Sequence, residues 1–208
     1  MNPLIKRAFD AELRAAGTEE SIIEGHPIVY GSATDICGWF AEIIEPGALD
    51  EADLTDVRLC KNHDTSNVYA RSKKGAENST MTLTPDESGL HISASLDTEN
   101  NPLAAAYYSE VQRGDISGMS FMFSVAEETW SNLESDYPTR HITKIGSVVE
   151  VSGVTFPAYE ATDISARNEQ AAEAARSAVE AARSASDDYK SEADKLALEK
   201  EKLKLITI

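Results

Sequence analysis

The sequence predicts an α+β, mainly β fold followed by a helical tail, and three patterns support this prediction. The first is a series of short apolar-alternating segments separated by Gly, Pro, Asn and Asp. The second is one well-marked helix, LAAAYYSEVQR, between two of these segments. The third is a change of composition near Ala166, after which Ala, Glu, Lys and Arg dominate and Gly and Pro are absent. Residues 1–166 are therefore predicted to form one domain, and residues 167–208 a helical tail.

Nine segments of the domain are predicted to be strands because they are short, apolar and bounded by turn residues. They are His26–Ala33, Trp39–Ile44, Val57–Asn62, Val68–Arg71, Met81–Thr84, Leu90–Leu96, Met119–Ala126, His141–Ile145 and Val148–Phe156. Many short strands at this spacing indicate a barrel or a sandwich.

Two helices are predicted between the strands. The helix LAAAYYSEVQR has Asp97 or Thr98 as its expected N-cap, Pro102 in its first turn and Gly114 at its C-terminal end. A shorter helix is expected to begin near Pro46 and to run through GALDEADL.

The tail contains a heptad pattern that begins at Ala175 and ends at Ile206, with Glu192 and Glu199 at two of its core positions. Such a helix is expected to self-associate weakly or to dock a partner. The alternative is a solvated helix that binds nothing.

The net charge of −17 argues against binding of nucleic acid, whose phosphates need Lys and Arg opposite them. Residues 1–166 contain 11 basic and 27 acidic residues, a net charge of −16, whereas the tail is nearly neutral. A basic partner or substrate segment would be attracted to the domain. The charge is equally consistent with a role in solubility alone.

The remaining composition indicates a cytosolic protein without a membrane helix, a disulfide or a structural zinc site. No run approaches the roughly 18 apolar residues of a membrane helix, and MNPLIKRAFDAELRAAG lacks the apolar centre of a secretory signal. Cys37 and Cys60 are expected to be thiols, since they form no C-x-x-C pair. Two scattered Cys and four scattered His do not supply a structural zinc site.

Ser120 is the candidate nucleophile, in the segment GDISGMSFMFSVAEETW. Apolar and polar positions alternate from Met119 to Val125, so Ser120 is placed opposite the face of Phe121 and Phe123. It also follows a Gly-containing turn in which backbone N–H groups can be left free. A nucleophilic serine needs such a position, exposed and near unpaired amide donors, although a serine on the polar face of a strand is also ordinary.

His63 is the candidate base, and Glu150 is the candidate residue that orients it. His63 lies at a strand end in RLCKNHDTSNVYARS, and histidine is the usual general base in proteins. Its neighbour Asp64 is expected to point away, because adjacent residues of an extended chain face opposite sides. Glu150 lies between Val149 and Val151, where a charge within an apolar strand needs a partner. The alternatives are an exposed loop histidine and a partly exposed strand carboxylate.

These pieces together resemble the prohead proteases of tailed bacteriophages. The resemblance is carried by G-D-I-S-G-M-S-F, N-H-D and V-E-V-S-G-V-T-F-P-A, with the candidate residues in the chain order His, Ser, acid. The segment GHPIVYGSATDICGWFAEIIEPGALDEADLTDVRLCKNHD resembles the N-terminal half of that family, and RHITKIGSVVEVSGVTFPAYEAT resembles its closing segment. The resemblance covers about residues 24 to 167 and leaves the tail uncovered.

The resemblance implies a herpesvirus-protease-like fold, which is an antiparallel β-barrel surrounded by helices. It implies a serine endopeptidase that works in the host bacterial cytoplasm, inside the assembling prohead. Its substrates would be the major capsid protein, scaffold segments and often the protease itself, and the reaction would need no metal or organic cofactor. By motif position, Ser120 corresponds to the nucleophile, His63 to the base and Glu150 to the acidic member. Because herpesvirus relatives use a second histidine in the third role, His91 and His141 stay open as alternatives.

Three other functions compete with an active protease. One is a fused protease and scaffold whose tail binds capsid protein. Another is a catalytically silent capsid-assembly protein that has kept the fold. An unrelated β-barrel binding module is the last. The presence of candidate residues at all three positions favours the active enzyme.

Overall fold

The structure is a computed structural model in which residues 4–9, 13–16, 21–156, 171–188 and 192 are described. The strands are β1 (Leu4–Phe9), β2 (Leu13–Ala16), β3 (Ile22–Val29), β4 (Ala33–Ile36), β5 (Phe40–Ile44), β6 (Asp56–Lys61), β7 (Ala70–Lys73), β8 (Met81–Pro85), β9 (Gly89–Ser95), β10 (Gly118–Ser131) and β11 (Thr139–Val154). The helices are α1 (Pro102–Arg113) and α2, which covers residues 171–188. The predicted α+β, mainly β class is confirmed.

The strands form two sheets. The larger sheet has the order β1-β10-β11-β5-β4, and β6 also pairs with β11 and carries β7 on its other side. The smaller sheet has the order β2-β3-β9-β8. In the part of the chain that the structure describes, these pairings leave two open sheets and not the closed barrel that the family resemblance implies. The herpesvirus-protease-like arrangement stays a prediction.

Strand β11 is one long strand where the sequence predicts two, and its length decides where the site forms. Its first part, Thr139–Ile142, pairs in parallel with β5. Its last part, Glu150–Gly153, pairs in parallel with β6. Along its other edge β11 pairs with β10 in antiparallel register, interrupted by several register shifts. Residues near the ends of β6, β10 and β11 are thereby brought side by side.

Helix α1 begins one turn later than its predicted caps. The side chain of Asn101 accepts hydrogen bonds from the first N–H groups of the helix, so neither Asp97 nor Thr98 is the N-cap. Asp97 instead accepts the N–H of Asn100 at 3.0 Å and closes the preceding turn. Gly114 ends the helix as predicted, because its φ of 79° is the left-handed conformation that glycine adopts without strain.

The predicted helix after Pro46 does not form. The segment makes successive tight turns, in which Ala48 donates to Glu45 O and Asp50 donates to Gly47 O, both at 3.0 Å. Gly47 has a φ of 86°, which a right-handed helix cannot contain. The turns provide local partners for the backbone N–H and carbonyl groups, while the side chains of Ala48 and Leu49 enter the core.

One hydrophobic core lies between the sheets and α1, which contributes Ala104, Tyr107 and Val111 to it. Helix α2 packs separately, with Ala175 and Val179 buried in a small cluster that includes Phe40. The part of the predicted heptad beyond residue 188 lies outside the described residues, apart from residue 192. Among the helices that the structure describes, none is both long enough and apolar enough to cross a membrane.

Candidate active site

Ser120 lies near the start of β10, where the predicted alternation is confirmed. It is opposite Ser152 of β11 on one side and Ala8 of β1 on the other. The neighbouring Phe121 enters the core, as the period of two requires.

The expectation that Ser120 is exposed is wrong, because its residue exposure is 0%. The reason is β1, a strand that the sequence did not predict, which pairs with the outer edge of β10. The Oγ atom of Ser120 donates a hydrogen bond to the carbonyl oxygen of Arg7 at 2.8 Å. The first strand of the chain therefore covers the candidate nucleophile.

His63 follows the end of β6 and turns back over the sheet. Asn62 and His63 both have left-handed backbone conformations, with φ of 51° and 59°, which non-glycine residues rarely adopt. Asp64 does not face the imidazole. Its carboxylate accepts hydrogen bonds from the Ser66 hydroxyl, from the Asn67 amide at 2.9 Å and from the Ser66 backbone N–H at 3.0 Å, and these bonds lower the pKa of Asp64. This agrees with the expectation that Asp64 points away from His63.

The imidazole of His63 joins the two other candidates. Its Nε2 atom is 2.6 Å from Ser120 Oγ, and its Nδ1 atom is 2.6 Å from Glu150 Oε2. The side chains of His63 and Glu150 are only 6% and 4% exposed. A charge on the imidazole would therefore be balanced by a carboxylate in a site that water screens weakly. Three residues separated widely in the chain thus meet in the order Ser, His, carboxylate.

Ser152 is a member of this network that the sequence analysis missed. Its Oγ atom accepts the backbone N–H of His63 at 3.0 Å and donates its own proton to Glu150 Oε1. Ser152 is fully buried, and it lies two residues after Glu150 on the same face of β11. The spacing in V-E-V-S could have predicted this role, since two polar side chains on one face of an apolar strand need hydrogen-bond partners and can bond to each other.

The backbone beside Ser152 is fixed by α1 and by the turn after β6. The N–H of Gly153 donates to the Tyr107 hydroxyl at 3.1 Å, and its carbonyl accepts from Asn62 at 3.0 Å. A Cβ atom at Gly153 would lie 2.3 Å from that hydroxyl, so only glycine allows this approach. Burial raises the pKa of Tyr107, which stays neutral and able to hydrogen-bond.

Cys60 lies beside the network but does not compete with Ser120 as a nucleophile. It pairs with Ser152 across β6 and β11 and is fully buried. Burial, with the nearby negative charge of Glu150, raises the pKa of the Cys60 thiol to about 12. The reactive thiolate is therefore suppressed near neutral pH.

The two alternative histidines lie elsewhere. His91 contacts His26, with ring centroids 5.0 Å apart and ring planes tilted by 59°. His141 forms a second Ser-His-carboxylate contact, with Nδ1 2.6 Å from Glu45 Oε1 and Nε2 2.8 Å from Ser131 Oγ.

The second contact differs from the first in its surroundings. The side chains of His141 and Glu45 are 26% and 35% exposed, so their electrostatic coupling is more strongly screened than that of His63 and Glu150. Across the ranges that the structure describes, no group of three or more His, Cys, Asp or Glu is placed to hold a metal ion.

A buried histidine that joins a serine to a carboxylate is the arrangement of the serine hydrolase class, here carried on a mainly β fold. Comparison with known protein families matches residues 9–177 to the caudovirus prohead serine proteases. The chain belongs to that family.

One curated relative is the prohead protease of Enterobacteria phage HK97. It is 33% identical to this chain over 165 residues, a match that covers 76% of this chain and 66% of the relative. The chain thus spans just under two thirds of that protein's length. No solved structure matches this chain.

Proposed function

We infer that this protein is a serine endopeptidase in which Ser120 is the nucleophile, His63 the general base and Glu150 the residue that orients His63. The observation that carries the proposal is the pair of 2.6 Å contacts of the His63 imidazole, one to Ser120 and one to Glu150. The family motif positions and the burial of the histidine and the carboxylate favour this group over Ser131, His141 and Glu45.

The geometry supports ordinary acyl transfer. The Oγ atom of Ser120 forms a bond to the peptide carbonyl carbon while Nε2 of His63 takes its proton. Glu150 accepts a hydrogen bond from the Nδ1–H group of His63, which fixes the tautomer and stabilises the imidazolium. His63 then protonates the leaving amine as the peptide bond breaks. Water repeats the sequence on the acyl-enzyme and releases the second product.

The substrates we propose are segments of the major capsid protein or of a scaffold, cut in the host bacterial cytoplasm inside the assembling prohead. The family and the relative named above, both described as prohead proteases, support this choice. The net charge of −16 on residues 1–166 favours substrate segments that carry basic residues. Cleavage of the protein's own chain and weak self-association through the tail belong to the same proposal.

A catalytically silent assembly protein is the second candidate, and the complete burial of Ser120 favours it. The two functions are distinguished by co-expressing this protein with the major capsid protein of the same phage, as wild type, Ser120→Ala and Ser131→Ala. Intact masses of both chains are then measured by mass spectrometry. We expect truncated capsid protein with wild type and Ser131→Ala and uncut protein with Ser120→Ala. Uncut protein in all three would support the silent assembly factor.

A further inference from the structure

Strand β1 contacts the site as an extended peptide would. It lies at the end of the larger sheet, and among the described strands it pairs only with β10, in a register that runs from Leu4 opposite Ser124 to Phe9 opposite Met119. Edge-strand addition of this kind is a common way for a protein to bind an extended peptide. The backbone hydrogen bonds give affinity, and alternate side chains give specificity.

The carbonyl group of Arg7 prevents Ser120 from acting as a nucleophile in this arrangement. A serine hydroxyl has one proton, and two acceptors compete for it, Arg7 O at 2.8 Å and His63 Nε2 at 2.6 Å. Nucleophilic attack requires the proton on the histidine side. A substrate carbonyl also needs space next to Oγ, and Ser120 has 0% exposure. Peptide cleavage at Ser120 therefore requires β1 to leave.

The side chain of Arg7 is held by a carboxylate in the protein interior. Its Nη2 atom donates to Glu42 Oε2 at 3.0 Å, and its Nε atom donates to the other oxygen. Glu42 is only 2% exposed and receives one further bond, from Arg140 Nη1 at 2.9 Å. Two parallel bonds from a planar guanidinium are a selective fit for a carboxylate.

We propose that β1 is a resident, substrate-like strand, and that Glu42 selects substrates with an arginine or a lysine at the position that Arg7 occupies, next to the scissile bond. This inference rests on the proposed endopeptidase function of Ser120. It names the substrate class of the same site.

The electrostatics explain why the incoming peptide must be basic. When Arg7 leaves, one of the two oxygens of a buried carboxylate loses its donor, which is costly in a poorly hydrated site. A basic side chain on the incoming peptide restores that bond, whereas a neutral side chain leaves the oxygen unpaired. The acidic surface of residues 1–166 attracts the same class of peptide.

The first test measures access to Ser120 with a fluorophosphonate, a small probe that labels reactive serines without needing a peptide subsite. We expect Arg7→Ala in the full chain to raise the labelling rate of Ser120 by about tenfold, as loss of a charge-assisted hydrogen bond predicts. Arg14→Ala is the matched control, because Arg14 pairs with Glu24 at 3.2 Å at the exposed edge of the other sheet. It should label at the wild-type rate.

The second test measures specificity with two fluorogenic peptides on the wild-type enzyme. One has the sequence of residues 4–12, LIKRAFDAE, and the other is LIKAAFDAE, which lacks only the arginine. We expect the arginine peptide to be cut after its Arg with kcat/KM about tenfold higher. The variant Glu42→Gln, checked for folding by circular dichroism, should cut the two peptides equally.

The outcomes separate this inference from the proposed function. Failure of every variant to be labelled at Ser120 or to cut any peptide would overturn the endopeptidase itself. Labelling and cleavage that depend on Ser120, with no acceleration by Arg7→Ala, would show that β1 is a permanent part of the sheet. Equal cleavage of both peptides by the wild type would reject Glu42 as the specificity residue even if Glu42→Gln did not fold.

Discussion

Ser152 Oγ accepts the backbone N–H of His63 at 3.0 Å and donates to the carboxylate of Glu150. One hydroxyl therefore holds both the main chain of the proposed base and the side chain of the residue that orients it. Because His63 has a left-handed φ of 59°, its backbone needs such support to keep that conformation. Ser152 lies opposite Ser120 on the neighbouring strand, but it is a positioning residue, since its hydroxyl acts through His63 and Glu150.

Replacement of Ser152 by alanine is expected to lower kcat by about 10- to 100-fold, the cost of misplacing a catalytic group by about 1 Å. KM should change little, because the hydroxyl bonds to the His63 backbone and to Glu150 and is not proposed to bind the substrate. The measurement is steady-state cleavage of the LIKRAFDAE peptide. Ser124→Ala is the matched control, since Ser124 lies on the neighbouring strand β10 and its hydroxyl bonds to Ser147 at 2.9 Å and not to His63. An equal loss in both variants would indicate a general packing defect.

Glu150→Gln tests the third member of the site. The amide can donate to His63 Nδ1 and so favours the wrong tautomer, which lowers kcat by about 10⁴-fold in comparable enzymes. His141→Ala should cleave at the wild-type rate, because His141 bonds to Glu45 and Ser131 and not to the site. The assay is again peptide cleavage. A large loss in His141→Ala with full activity in Glu150→Gln would transfer the role to the histidine.

The strands with clear alternation were predictable from sequence, and so was the class of fold. The segment from Met119 onward was assigned to the right face because its polar and aromatic positions follow a period of two. The short strand β4, ATDI, was missed because it is only four residues long and contains an acid. Strand β1, LIKRAF, was missed because its charged residues interrupt the apolar pattern. One of these residues, Arg7, forms an ion pair with Glu42 of β5, which the sequence does not reveal.

The meeting of His63 with Ser120 and Glu150 was predictable because chemistry and motif coincide at these positions, and their catalytic roles stay a proposal. Which groups surround them depends on tertiary pairing that sequence alone does not supply. The hydrogen bond from Ser120 to the Arg7 carbonyl, for example, joins residues that are 113 positions apart in the chain. Likewise, the N-cap of α1 was misplaced because Asp97, Thr98 and Asn101 are all good cap residues, and local hydrogen bonds decide among them.

Cys60 provides a prediction on pH. Its thiol pKa is raised from 9.0 to about 12, so the folded state holds this proton more tightly than the unfolded chain does. The stabilisation is present below pH 9.0 and is lost as the pH rises towards 12. The urea concentration at the midpoint of unfolding should therefore fall more steeply over this pH range for the wild type than for Cys60→Ala.

The same thiol should resist alkylation in the native state. With iodoacetamide at about pH 8, we expect Cys37, which is half-buried, to react first, and Cys60 to react only after urea is added. Peptide mapping by mass spectrometry gives the order. Rapid native alkylation of Cys60 would show that β6 does not pack against β11 in solution as it does in this structure.

Helix α2 gives the last prediction, because its apolar face packs on the body of its own chain. Val179 is 2% exposed in the cluster with Phe40, and Arg183 donates to the carbonyl oxygens of Leu133 at 2.9 Å and Ser135 at 2.7 Å. Val179→Asp removes about 1.5–3 kcal/mol of apolar burial and adds a buried charge, so the helix should detach.

Limited trypsin digestion reports this change, since the chain at the exposed Arg183 can enter the protease only as an extended segment, after α2 has detached and unwound. We expect cleavage after Arg183 to accelerate by at least about tenfold in Val179→Asp. Ala174→Asp is the control, because Ala174 lies on the exposed side of the same helix. A contradicting result would be that Val179→Asp is cut no faster than the wild type and forms a smaller oligomer by sedimentation. It would show that this face of α2 joins two copies of the chain, as the heptad pattern allows.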